Sequence, residues 1–105
     1  MWFEIVLAPE AGKALQRLPA HVRSEVRDAL ERHLRFEPTK TSKSRIKRLR
    51  GLRQPQYRLR VNDIRVFYDV AETSVEILAI IGKQEGQAWL DQESTPGESG
   101  GPGQG

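Results

Sequence analysis

The sequence predicts an α+β fold: an N-terminal strand, an antiparallel helix hairpin, three antiparallel strands forming one sheet packed on the helices, and a short C-terminal helix. Three observations carry this expectation. Residues 2–7 and the stretch 57–70 alternate with the period of two that marks strands, and a short apolar run follows at 77–81. Between them, apolar residues recur at helical spacing in two blocks separated by Pro19. The segment joining helices to strands holds Pro38, Gly51 and Pro55, which break any long regular element.

In chain order, residues 2–7 set Phe3, Ile5 and Leu7 on one side and Trp2, Glu4 and Val6 on the other, and Pro9 ends the strand. Pro9 then opens a helix over 9–18 as its first-turn residue, with Glu10 near the electropositive N-terminal end. Ala11, Ala14, Leu15 and Leu18 form its apolar stripe. After Pro19 a second helix, 20–36, carries Val22, Val26, Ala29, Leu30 and His33 on one face. Arg27–Glu31, Asp28–Arg32 and Glu31–Arg35 are i,i+4 pairs on its solvent side. With almost no loop between them, the two helices form an αα-hairpin. Strands follow at 57–61, 64–70 and 75–81, with Asn62 and Asp63 as a two-residue turn because both residue types tolerate positive φ. Residues 85–90 make the terminal helix. From Glu93 the chain is Gly-, Pro- and Ser-rich with nothing apolar to bury, so residues 1–92 read as one folded domain and 93–105 as a disordered tail.

Composition narrows the function classes. A chain of 105 residues supports one domain with one modest core. There are no cysteines, which excludes disulfides, thiolate metal sites and a cysteine nucleophile. The two histidines and scattered acids show no metal-ligand spacing, and no glycine-rich phosphate loop occurs, so neither metal nor other cofactor is expected. The longest apolar run, 77–81, is too short for a bilayer, and no basic stretch precedes the apolar N-terminus as in a signal peptide. The expected location is the cytoplasm, with no membrane partner.

Charge is the strongest functional signal. Between Glu37 and Asp63 lie Lys40, Lys43, Arg45, Lys47, Arg48, Arg50, Arg53, Arg58 and Arg60, nine of the seventeen basic residues, and no acid. Such a field attracts polyanions: a nucleic acid backbone or an acidic protein segment. The turn at Asn62 and Asp63 fixes a hairpin register in which Val61 faces Ile64, Arg60 faces Arg65, Leu59 faces Val66, Arg58 faces Phe67 and Tyr57 faces Tyr68. Tyr57, Leu59, Val61, Ile64, Val66, Tyr68 and Val70 then share the face that meets the helices. Arg58, Arg60, Arg65, Phe67 and Asp69 share the other. Directly opposed like charges destabilise a strand pair by roughly 0.2–1 kcal/mol, so Arg60 opposite Arg65 calls for an anion, with Asp69 and solvent as partial substitutes. Guanidinium forks match phosphate oxygens, and Phe67 beside them offers either a stacking surface for a base or a half-buried sheet residue.

The segments LRGLRQPQYRLRVNDIRVFYDV and VEILAIIGKQEGQAWL, with the element order above, resemble the RelE/ParE superfamily of bacterial type II toxins over residues 2 to 90. The resemblance implies a toxin neutralised by a cognate antitoxin. In its RelE-like branch it implies an endoribonuclease that cuts mRNA in the ribosomal A site, with ribosome and mRNA as partners. Arg58 and Arg60 match the two basic strand positions, Arg65 the arginine of the next strand, and Lys83 the lysine after the final strand; these four are the expected catalytic set. Lys43, Arg45, Lys47, Arg48, Arg50, Arg53 and Phe67 are the expected RNA contacts. The chain departs from active RelE toxins at Gln84, where an arginine is usual, and at Leu90, where the terminal helix usually has a tyrosine; neighbouring Trp89 is neither acid nor base.

Cleavage by a 2′-OH needs a proton removed, charge held on the phosphorane and a proton delivered to the 5′-oxygen. Arginines suit the second task and, because a guanidinium stays protonated at any ordinary pH, not the first. Lys83 is a base only where neighbouring cations favour its neutral form. His33, on the apolar stripe, reads as structural. Three readings are therefore ordered: first a ribosome-dependent endoribonuclease, supported by the arginine face; second a ParE-like gyrase inhibitor without RNase activity, supported by the departures at Gln84 and Leu90; third a scaffold whose basic groove holds an acidic antitoxin segment.

Overall fold

In the computed structural model, which describes residues 1–97, strand β1 (Glu4–Leu7) leads into helix α1 (Pro9–Arg17), and α2 (Ala20–Leu34) follows after Pro19. Pro9 occupies the first turn of α1 with Glu10 beside it, as its missing N–H and fixed φ favour. Helix α2 ends at Leu34, two residues earlier than the apolar spacing suggests. The carbonyl of Arg35 there accepts the N–H of Phe3 at 2.8 Å, tying the helix end to the start of β1. Arg35 reinforces this joint: its Nη1 donates to the Phe3 carbonyl at 2.9 Å, its guanidinium lies 4.6 Å over the Trp2 ring, and Glu31 accepts from Nε at 3.0 Å.

The rest of the chain is β2 (Ile46–Arg48), β3 (Leu52–Gln54), β4 (Tyr57–Val61), β5 (Ile64–Val70), β6 (Ser74–Gly82), α3 (Lys83–Glu93) and β7 (Thr95–Pro96). Five strands form one sheet in the order β1-β6-β5-β4-β2. Strands β4, β5 and β6 are the expected antiparallel meander, and β1 joins its far edge parallel to β6, with Ile5 opposite Val75 and Leu7 opposite Ile77. Asn62 has φ 54°, the left-handed conformation that an Asn-Asp hairpin turn uses. Ala11 and Leu15 of α1 and Val26, Leu30 and Leu34 of α2 pack on Leu59, Val66, Tyr68, Val75 and Ile77, all buried. The face assignment for the hairpin therefore holds.

Two features lie outside the sequence reading. The segment 46–48, expected as irregular basic chain, is edge strand β2, with Ile46 opposite Leu59 and Lys47 opposite Arg58. Three residues with one apolar side chain show no periodicity, and Ile46 is recruited by burial in the core. Secondly, β6 holds a bulge: Phe67 pairs with Ala79 and Tyr68 with Ile77, so Leu78 is the extra residue. The run Ile77–Ile81 is apolar throughout because α1 and α2 cover one face and α3 the other. Helix α3 extends to Glu93, and Thr95–Pro96 pairs with β3, Gly97 N donating to Gly51 O at 2.8 Å. Backbone pairing thus continues through residue 97, four residues past the expected boundary at 93; the remainder of that tail, 98–105, lies outside the described residues. Among the described residues no helix is long and apolar enough to cross a membrane.

Candidate nucleic-acid interface

The hairpin register is the one its turn demands: Arg60 opposite Arg65, Arg58 opposite Phe67, Leu59 opposite Val66. Strand β2 widens the cationic face. Lys47 stands opposite Arg58, and the Arg60 N–H donates to the Arg45 carbonyl at 2.8 Å, continuing the ladder one residue further. Two cross-strand rows result, Arg45–Arg60–Arg65 and Lys47–Arg58–Phe67. Sequence alone placed three of these cations together; the pairing of β2 brings in the other two.

None of Arg45, Lys47, Arg58, Arg60 and Arg65 has a carboxylate within ion-pair distance among the described residues. Asp69, the acid on the hairpin's outer face, is occupied elsewhere: it accepts from Gln54 Nε2 at 2.6 Å and from the Gln56 N–H at 2.8 Å. Arg58 is half-buried, donates one bond to the Ser44 carbonyl at 3.2 Å, and has a buried Nε with no partner. Burial first, then the charges of Arg65 and Arg60, push its pKa below the ordinary arginine value. Arg65 turns its Nη1 to the carbonyls of Asn62 at 2.8 Å and Ile64 at 3.1 Å. Lys83, the remaining member of the expected catalytic set, sits at the turn with its ammonium 3.5 Å from Asp63 Oδ1, so it has the counter-ion that the arginines lack.

The other expected RNA contacts divide. Lys43, Arg50 and Arg53 are exposed, but Arg50 and Arg53 precede the start of β4, whereas Arg60 and Arg65 flank its far end. Arg48 is committed to the fold: it donates to the Gln56 carbonyl at 2.8 Å and lies 5.2 Å over Tyr57, which itself stacks on Tyr68 at 5.5 Å. Phe67 is a correction. It is only 2% exposed, stacked on Trp89 of α3 at 5.1 Å with the rings 8° from parallel, and offers no face to a base. A Cβ added to Gly86 would sit 3.7 Å from the Phe67 ring and 4.0 Å from Arg65 Cγ, so α3 rests directly on both. Trp89 thus has a packing role that its place in the terminal helix did not disclose; its size and the outward-facing Phe67 were the available signals.

Chemically, this face can hold phosphate oxygens. It carries charge in excess, part of it desolvated, with forked donors. No histidine, carboxylate or tyrosine hydroxyl joins the two rows, so the face supplies electrostatic stabilisation and no evident group for proton transfer. Among the described residues no group of three or more His, Asp or Glu side chains is placed to hold a metal ion.

Residues 5–86 match the family model described as the ParE toxin of type II toxin-antitoxin system, parDE. No curated protein matches the chain. Among solved structures, the fold is similar to the toxin-antitoxin complex RelBE2 from Mycobacterium tuberculosis, at 22% identity over 78% of this chain and 99% of that chain, with a TM-score of 0.64. It is also similar to the RelB-RelE complex from Methanococcus jannaschii, at 19% identity over 81% and 98% of the two chains, with a TM-score of 0.63. The archaeal RelE-RelB complex from Pyrococcus horikoshii matches at 26% identity over 79% and 97%, with a TM-score of 0.51.

Proposed function

This chain belongs to the ParE toxin family, within the RelE/ParE superfamily of type II toxin-antitoxin toxins, and from that premise we propose that it acts on mRNA at the ribosome, as an endoribonuclease whose substrate phosphate is held by Arg58, Arg60 and Arg65. The observation that carries this reading is the unpaired cationic face: five cations in two cross-strand rows with no carboxylate among them. An anion on this face would relieve the opposition of Arg60 and Arg65 and partner the half-buried Arg58. A phosphate, and above all a phosphorane in the transition state, supplies the missing charge.

In the same reading, a cognate antitoxin neutralises the toxin by laying an acidic segment across this face. The complexes among its structural neighbours are consistent with such a partner. A second reading keeps the toxin and changes the target: a gyrase inhibitor that works by binding. It is favoured by the lack of a proton-transfer group in the rows and by Trp89 over Phe67.

The single variants Arg60→Ala and Arg65→Ala separate the two. Each relieves a like-charge opposition worth a few tenths to about 1 kcal/mol, so Arg60→Ala should hold or slightly raise thermal stability, whereas Arg65→Ala also gives up the bonds to the Asn62 and Ile64 carbonyls and the contact beneath α3 and should melt somewhat lower while still folding. Ribosome-dependent mRNA cleavage should fall roughly a hundredfold or more. Well-folded variants with undiminished cleavage would reject the arginine site. Growth inhibition accompanied by loss of gyrase supercoiling, with mRNA intact, would select the second reading.

A further inference from the structure

Beyond edge strand β2, a cleft of about 180 Å³ opens between the last turn of α2 and the loop that leads into β2. Arg32 and His33 line it from α2, Glu37, Lys40 and Ser42 from the loop, and Arg45 from the residue ahead of β2. At about 30 Å³ per liquid water, the volume admits a phosphate group with residual hydration.

The loop is scaffolded. Pro38 is fully buried, and its carbonyl accepts the Tyr68 hydroxyl at 2.6 Å, pinning the chain to the core. Lys40 N donates to the Glu37 carbonyl at 3.2 Å. Ser42 Oγ accepts the N–H groups of Arg45 at 2.9 Å and Ile46 at 3.2 Å, and Ser42 N returns a bond to the Ile46 carbonyl at 3.0 Å. The positions of Lys40 and Arg45 relative to α2 follow from these bonds.

Charge in the cleft is unbalanced. Three cations, Arg32, Lys40 and Arg45, face one acid, Glu37, which lies 3.8 Å from Lys40. Arg32 and Arg45 have no carboxylate partner among the described residues. His33 lies within this field: burial first, then the charges of Arg45 and Arg32, hold its pKa below the ordinary value. The groups facing it are Arg32 on its own helix, Glu37 and Lys40 from the loop, and Arg45 ahead of β2. Arg45 also lines a second cleft with Ser44, Arg60 and Asn62, which makes it the joint between this cavity and the arginine rows.

We propose that the cleft is a second phosphate subsite, in which Arg32, Lys40 and Arg45 hold a backbone phosphate of the RNA strand whose neighbouring segment lies on the Arg58, Arg60 and Arg65 face. It rests on the reading of that face as RNA-binding and adds three things: a direction for the strand past β2, two residues, Arg32 and Lys40, outside the hairpin, and a titratable reporter. An anion in the cleft favours imidazolium, so binding there raises the His33 pKa and tightens as pH falls.

The test uses the full chain and a short single-stranded RNA as probe, with His33 followed by NMR. RNA should raise the His33 pKa. The Arg32→Gln/Lys40→Gln double variant should bind several-fold to tenfold more weakly, with the slope of log affinity against log salt reduced by about 0.7, one phosphate contact on a single strand. Glu37→Gln should bind more tightly. If Arg60→Ala weakens binding while the double variant does not and His33 stays unmoved, the subsite is rejected and the RNA-binding face survives. If wild-type protein does not bind RNA, or Arg60→Ala leaves binding intact, the reading of the face falls and the subsite with it. A His33 response to poly-glutamate and none to RNA overturns the proposal in favour of an acidic protein segment.

Discussion

Replacing Arg58 with Met should make the folded chain more stable and the toxin less active. Met keeps much of the aliphatic stem, so packing between Lys47 and Phe67 changes little. Three effects remain. The buried, unpartnered Nε disappears, and leaving such a group unsatisfied costs about 1–3 kcal/mol. The like-charge opposition to Lys47 goes, worth roughly 0.2–1 kcal/mol. Against these stands the bond to the Ser44 carbonyl at 3.2 Å, worth about 0.5–1.5 kcal/mol and partly replaced by water because that carbonyl belongs to an exposed residue. The balance favours the variant by about 1–2 kcal/mol. In a domain of this size, each kcal/mol moves Tm by about 4–8 °C, so the rise is measurable by calorimetry. In the same preparation, single-turnover cleavage of ribosome-bound mRNA should drop by roughly 100- to 1,000-fold, the usual loss for one oriented donor at a developing oxyanion. Arg58→Lys, with charge and no fork, should fall between. A Tm lowered by more than a few degrees would mean that Arg58 is a structural residue whose neighbours satisfy it, and the inference from unpaired charge to anion site would fail.

Further outcomes follow from the packing around the site. Tyr68→Phe leaves the Pro38 carbonyl without its donor and should cost about 1–3 kcal/mol, read by chemical denaturation. Burial chiefly, with Tyr57 nearby, raises the Tyr68 pKa above its ordinary value. The stability it contributes is therefore complete below about pH 10, where an unfolded tyrosine titrates, and declines above that; the alkaline loss should be smaller in Tyr68→Phe. Phe67→Ala removes the partner of Trp89 and should cost about 3–5 kcal/mol if the site does not collapse. Trp89→Ala should leave the meander intact and speed amide exchange across 83–93, seen by hydrogen-exchange mass spectrometry; unchanged exchange there would show that α3 is held by other contacts. The complex with the antitoxin should weaken with salt in a titration, and Arg45→Ala should flatten that dependence.

What the sequence determined by itself is the hairpin and everything that follows from its register. A two-residue turn at Asn62 and Asp63 allows one pairing, and a period of two then assigns every side chain from Tyr57 to Val70 to a face. The opposition of Arg60 and Arg65 was legible for that reason, as were the helix pair divided at Pro19 and the apolar stripes that cover the inner face. Tertiary structure decided what lies around that hairpin. Residues 46–48 carry no periodicity of their own; they become a strand because Ile46 fills the core beside Leu59, and Lys47 then lands opposite Arg58. Phe67 and Trp89 are 22 positions apart, and nothing local announces that α3 folds back over the sheet to stack one on the other. Asp69 looked like a counter-ion within reach of the arginines, yet Gln54 and Gln56 claim it through bonds that depend on the path of the preceding loop. The physical division is one of range. Turn conformation and side-chain alternation are set within a few bonds of the residue concerned, whereas burial, and which charge remains unpaired, depend on groups that only the folded chain brings together.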